Sequence, residues 1–376
     1  SGSNWAPTLA TLESDAKLDL VISNNYWDHP QLWKMNNDWS RVLYAPFDNV
    51  SQLKSIDSNS FFTLSYSRAL GKPFLITEWN EAFPNEQRLE GVPFMAAYAA
   101  LQGWNGLLQF DFDHSRAAEA PMGNFTLSKM PDHLAQWVVA APMFLRGDVQ
   151  ESKGLVVENV TEAQRFSLPS YSKFLKDHPY LPYVTKVAKT YNDAKPEGAS
   201  GLEAFDRFFD ASKKTMTSDT GELFLDSGVG VFTVNTPRLQ GAEGFLKGRE
   251  LDFPGLKIQV ENTFASVFLV SADGLPLETS RKMYLVVVGE VKQTGQKYGE
   301  GRKQLEEPGG LPILAQVVKG SVTFKEGTSE GKRSIRPLAL DGVAGKALPV
   351  QVKSGATVFF LNSGKSLVYE VTVSKK

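Results

Sequence analysis

The sequence contains no cysteine. Disulfides, thiolate nucleophiles and cysteine-ligated metals are therefore excluded. Histidine is scarce as well, at four: His29, His114, His133 and His178. They match no HExxH or other compact ligand spacing, so neither a metal nor another cofactor is expected. Asp111, Asp113 and His114 suggest at most a loose cation site, and a solvated loop accounts for them as well. No glycine-rich phosphate loop follows a strand, and no GxSxG elbow is present. Charge of either sign is not in excess, with 40 Lys and Arg against 42 Asp and Glu. The chain lacks the basic footprint that nucleic acid requires. No apolar run reaches 18 residues, so no membrane helix is expected.

What is present is enough chain for two or three domains. The 376 residues are 42% hydrophobic and 11% aromatic, with 24 Phe and 7 Trp. Such a composition suits β-sandwich cores and also surfaces on which sugars stack.

Residues 1–150 alternate short apolar runs with helical patterns. LDLVISNNYW (18–27), KPFLITEW (72–79) and NGLLQFDF (105–112) read as strands. Stretches 51–71, 92–104 and 132–147 read as helices, the second with Pro93 in its first turn and the third bent at Pro142. Apolar strands between helices imply a parallel sheet. Residues 151–300 change character. A short helical piece at 202–210 precedes period-two runs at 228–236, 256–274 and 282–295, the pattern of an antiparallel β-sandwich. Residues 301–376 repeat that pattern at 315–327, 347–364 and 366–373 and read as a second, smaller sandwich. GLPILAQ and Gly309-Gly310 read as turns. The expected class is α/β plus all-β.

Each of the first three strands ends on a mixture of carboxylates, aromatics and histidine. The first ends on Asn24-Asn25-Tyr26-Trp27-Asp28-His29, the second on Glu78-Trp79-Asn80-Glu81, the third on Asp111-Phe112-Asp113-His114. In parallel α/β structures ligands sit at that edge of the sheet. Strand ends also collect polar residues simply because they meet water, but three in succession favour a site. Trp33, Trp39 and Tyr44 follow the first strand and suit either packing or a sugar platform.

YWDHP, KPFLITEWN and GLLQFDF resemble the sixth to eighth strands of the (β/α)8 barrels of glycoside hydrolase clan A, with family 5, family 42 and agarase-like enzymes nearest in pattern. The resemblance covers roughly residues 15–150 and implies a retaining β-glycosidase fold of which three β/α units are present. It makes Glu78 the nucleophile. It places Asn24, Tyr26, Trp27, His29, Trp79, Asn80, Trp104 and Asp113 among the substrate-binding residues. The stretch 218–245 is similar to a β-sandwich that trails such barrels. A carbohydrate substrate follows, and an extracellular or periplasmic location is mildly preferred.

The resemblance is incomplete. Clan A barrels carry their acid/base on a Glu after Asn at the fourth strand, and no Asn-Glu pair precedes Glu78 here on a strand. Retaining hydrolysis needs a second carboxyl about 5–5.5 Å from the nucleophile. Asp28, Asp111 and Glu81 are the candidates. The expected remedy is a homo-oligomer, or an N-terminal half carried elsewhere, that completes the barrel. The alternative is a non-catalytic glycan-binding or structural protein built on a hydrolase scaffold.

Overall fold

The computed structural model describes residues 8–113, 122–167, 173–191, 198–325, 331–339 and 341–374. It is mixed α/β and all-β. Strands β1 (Val21–Trp27), β2 (Phe74–Glu81) and β3 (Gly106–Gln109) form a parallel sheet in that spatial order. Helices α1 (Leu9–Ala16), α2 (Ser60–Ser65), α3 (Gly91–Leu101) and α4 (Pro131–Phe144) accompany them.

The single helix expected over 51–71 is instead a 3-10 turn at Gln52–Lys54 followed by α2. The polar run Ser55 to Asn59 competes for backbone hydrogen bonds. Asn59 then starts α2 by accepting from the Phe62 N–H at 2.8 Å. Helix α3 has almost no polar side chain, and a helix apolar all round must be buried all round. Phe94, Met95, Tyr98 and Leu101 are fully buried. Phe94 and Tyr98 meet Phe61 of α2 and, from the other direction, Phe232.

Phe232 belongs to a nine-stranded antiparallel sheet. Its spatial order is Arg333–Pro337, Val368–Val373, Lys282–Val288, Ala265–Ser271, Leu239–Gly244, Val231–Asn235, Leu223–Asp226, Thr215–Thr217, Phe209–Asp210. One face packs on α3 and α4 in a core shared with the parallel unit. The other face packs on a five-stranded sheet ordered Glu250–Asp252, Leu256–Val260, Gly320–Phe324, Ala356–Phe360, Gln351–Lys353.

Strands from residues 301–376 thus enter both sheets beside strands from residues 151–300. The two sandwiches read from the sequence are one, and no sheet boundary falls near residue 300. The run 256–274 supplies one strand to each sheet. A parallel pair, β4 (Leu155–Asn159) and β5 (Lys186–Thr190), also lies where the sequence pattern suggested none.

A further excursion leaves the sandwich. Val291–Thr294 pairs with Gly310–Ala315, so GLPILA is a strand rather than a turn, and Lys297–Tyr298 pairs with Leu305–Glu307. This arm grips the loops beyond β1 and β2. The Phe47 N–H donates to Lys303 O (2.9 Å), Tyr298 Oη to Pro84 O (2.8 Å) and Arg88 Nη2 to Val291 O (2.7 Å). Arg302 Nε donates to Glu86 Oε2 at 2.6 Å. Loops ordinarily mobile at a strand edge are held from two sides.

Candidate active site

Strand β2 aims the central side chain through a bulge. Its pairing with β1 runs from Val21 opposite Phe74 to Ser23 opposite Ile76, then skips Thr77 so that Asn24 faces Glu78. Strict alternation would send residue 78 to the same face as Phe74 and Ile76, which are buried. The extra residue changes the phase. Glu78 turns to the face that also carries Asn24 and Tyr26. Thr77 Oγ1 donates to Asn24 Oδ1 at 2.6 Å and fixes the bulge.

Tyr26 Oη donates to Glu78 Oε2 at 2.9 Å. Burial holds the phenol far above its usual range, helped by the Glu78 bond and by the fields of Glu78 and Asp111. Tyr26 is therefore a neutral donor at every working pH. Its ring is held edge-on by His29 and Phe110 and tilted against Phe125. His29 Nδ1 lies 2.9 Å from Pro30 O. A carbonyl only accepts, so Nδ1 carries the proton. Burial lowers the His29 pKa, which keeps the ring neutral at pH 7.

These groups wall a cavity of about 490 Å³, lined by Tyr26, His29, Trp39, Val42, Leu43, Glu78, Phe110, Gly123, Asn124 and Phe125. Trp39 is 60% exposed and flanks His29 at 6.2 Å between ring centroids. The chemistry on offer is one carboxylate, oriented by a phenol, inside an aromatic cleft. Val42, Leu43, Asn124 and Phe125 carried no signal in the sequence, because the first two lie in a short 3-10 helix, Trp39–Tyr44, and the others in a loop, too short or irregular to show periodicity.

Several expected site residues lie elsewhere. Trp79 and Trp104 are core residues and present no face to a ligand, Trp104 packing on Phe61 and Phe74. Asn80 is buried and structural. Its Nδ2 donates to Phe110 O (2.6 Å) and Phe125 O (3.2 Å), joining β2 to the segments that carry the cleft aromatics. Trp27 spends its indole N–H on Val50 O at 2.8 Å. Asp113 is exposed and accepts from Ser128 Oγ at 2.6 Å. His114 lies outside the described residues, and with it the loose cation site.

Two of the three candidate acids are also committed. Asp28, at φ 54°, accepts from the N–H groups of Asp48 and Asn49 and from Asn85 Nδ2, and so shapes the 48–50 loop. Glu81 faces the helices with Trp79 and is fully buried. It accepts from Gln52 Nε2 at 2.7 Å, while the Gln52 N–H donates to Glu90, which also accepts from Ser51 Oγ at 2.7 Å. Glu243 completes a buried carboxyl cluster, with Ser266 Oγ at 3.3 Å. Burial first, then the neighbouring acids, push Glu81 and Glu243 well above the usual carboxylate range, and burial pushes Glu90 up to about 8. Asp111 remains. It follows β3 at the same end of the sheet, and its field reaches Tyr26.

Among the described residues, no group of three or more His, Asp or Glu side chains is arranged to hold a metal ion. No helix among them is long and apolar enough to cross a membrane. Comparison with family models, curated proteins and solved structures finds no match to this chain.

Proposed function

We propose that the protein is a retaining β-glycoside hydrolase module, with Glu78 as nucleophile. The observation that carries this reading is the Tyr26–Glu78 hydrogen bond at the bulged end of β2, inside an aromatic cavity. A nucleophilic carboxylate must stay ionised, and a donor that never ionises in the working range favours that state. Apolar ring faces such as Trp39 suit the C–H faces of a pyranose. Tyr26 and His29 orient the carboxylate and bind sugar, and Asp111, which follows β3 at the same end of the sheet, is the acid/base candidate. The test is a screen on aryl β-glycosides and on β-glucan, β-mannan and β-galactan polymers, with Glu78→Gln as control. Turnover that the control abolishes supports the reading.

The partner proposed is a second copy of this chain that completes the barrel. Supporting it, Ile22 and Leu75 on the Glu78 face of the parallel sheet are only half-buried, and Leu108 is 53% exposed. Burying such a side chain fully from water is worth roughly 1.5–3 kcal/mol, and covering the half still exposed is worth about half of that each. Light scattering after gel filtration decides the self-association arm. A 41.5 kDa monomer at micromolar concentration contradicts it.

The second reading is a glycan-binding or structural protein without hydrolysis. The engagement of Asp28 and Glu81 elsewhere favours it, since it removes two of the three carboxyls proposed for proton donation. Tight oligosaccharide binding without turnover on any substrate supports this reading instead.

A further inference from the structure

The outer face of the five-stranded sheet carries a row that the cleft does not use. Glu250 pairs with Gln259, Gln259 with Ser321 and Ser321 with Phe360, so four adjacent strands place one side chain each in line. The residues next to them in sequence, Ile258, Val322 and Phe359, point inward to the sandwich core. At ~4.8 Å per strand step the row spans about 14 Å. Ser321 is the small member, and the dip over it is a groove of about 490 Å³ rimmed by Arg249 and Asn362.

The row is partly preorganised. Gln259 Nε2 donates to Glu250 Oε2 at 3.2 Å, and Lys257 holds Glu250 Oε1 at 2.7 Å. Asn362 spends its carbonyl oxygen on the Gly320 N–H at 3.0 Å, which leaves its amide N–H groups to donate. Phe360 closes one end and is 45% exposed. Lys257 offsets the charge of Glu250, and the other two charged lining residues, Arg249 and Glu261, are of opposite sign, so the groove offers paired donors and acceptors beside an apolar plane, without the strong field that selects an ion. An uncharged ligand with many hydroxyls and one apolar face meets that description.

We propose that this groove is a second carbohydrate-binding site, taking a short stretch of an uncharged polysaccharide chain with one sugar stacked on Phe360. It is separate from the Glu78 cleft and holds polymer whether or not the cleft is catalytic. The experiment is affinity gel electrophoresis of the Glu78→Gln protein in gels containing soluble β-glucan, β-mannan or β-galactan. At least one polymer retards migration. Phe360→Ala weakens that binding about tenfold or more, as expected when a stacked ring is removed, and Arg249→Ala, which takes a donor from the rim, weakens it as well. Trp39→Ala in the cleft leaves most of it intact. All three residues are surface-accessible, and unchanged melting temperatures show that the variants fold. The proposal is overturned if no polymer retards the protein. It is equally overturned if retardation ignores Phe360→Ala and Arg249→Ala but disappears with Trp39→Ala. Hydrolysis of aryl glycosides reads the cleft alone, so an inactive protein that still binds through Phe360 separates the two proposals.

Discussion

Tyr26 and Glu78 sit on adjacent parallel strands, 52 positions apart in the chain, and share a 2.9 Å hydrogen bond because Thr77 is squeezed out of register. Removing the hydroxyl tests how much that bond does. A hydrogen bond to a charged group is worth roughly 1.5–3 kcal/mol. Tyr26→Phe therefore lowers kcat/KM by about 10- to 100-fold. The ring contacts to His29, Phe110 and Phe125 survive, so melting changes little. An unaltered kcat/KM removes Tyr26 from the mechanism.

Trp39 makes a different prediction. It is exposed on the cavity wall and bonded to no reacting group. Trp39→Ala raises KM and leaves kcat within a few-fold, because it removes binding common to ground and transition states. A fall in kcat at constant KM contradicts the platform role. The site is then assembled differently.

Glu81, Glu90 and Glu243 make stability pH-dependent. In the unfolded chain these groups ionise near the ordinary value of about 4.3. In the folded protein burial keeps them protonated to much higher pH, with Glu90 reaching about 8. A carboxyl raised in this way costs nothing below pH 4. Its penalty grows as pH climbs from there toward the folded-state value. The melting temperature falls between pH 5 and pH 8. Glu243→Gln, which keeps the shape without the charge, flattens that fall and recovers on the order of 1 kcal/mol at pH 8, or roughly 2 °C. A steeper or identical slope in the variant contradicts the assignment.

Asn80 separates what the sequence shows from what it hides. Asn80→Ala takes the side-chain donor from Phe110 O and leaves Phe125 O with the Asp111 N–H alone, at about 1–3 kcal/mol in all. It lowers the melting temperature by several degrees, whereas a sugar-binding role predicts a change in KM instead. TEWN looks like one cluster in sequence, yet its members divide between two faces. Tyr26, His29 and Glu78 were legible because strand ends announce themselves through a change from apolar to polar. The faces were not legible. Alternation counted from Phe74 and Ile76 buries Glu78 and exposes Trp79, and only the bulge at Thr77 reverses that assignment. Nor does composition show that strands after residue 300 pair with those before it. Period-two patterning marks a strand but not its neighbour. The cleft residues Val42 and Leu43 come from a short 3-10 helix and Phe125 from a loop, where no periodicity exists to read.

The measurement that bears most directly on the account is covalent trapping at Glu78. A 2-fluoro β-glycoside with a good leaving group lets a retaining nucleophile attack while slowing release of the glycosyl-enzyme. Incubated with a panel of such sugars and mapped by mass spectrometry, the protein is predicted to carry one glycosyl group on the peptide containing Glu78. Glu78→Gln is predicted to carry none and to lose at least ~10³-fold in turnover, about 4 kcal/mol, with an almost unchanged melting temperature. A label on another carboxylate contradicts the assignment of Glu78. No label from any sugar, on a protein that still binds the matching oligosaccharide, contradicts the hydrolase itself.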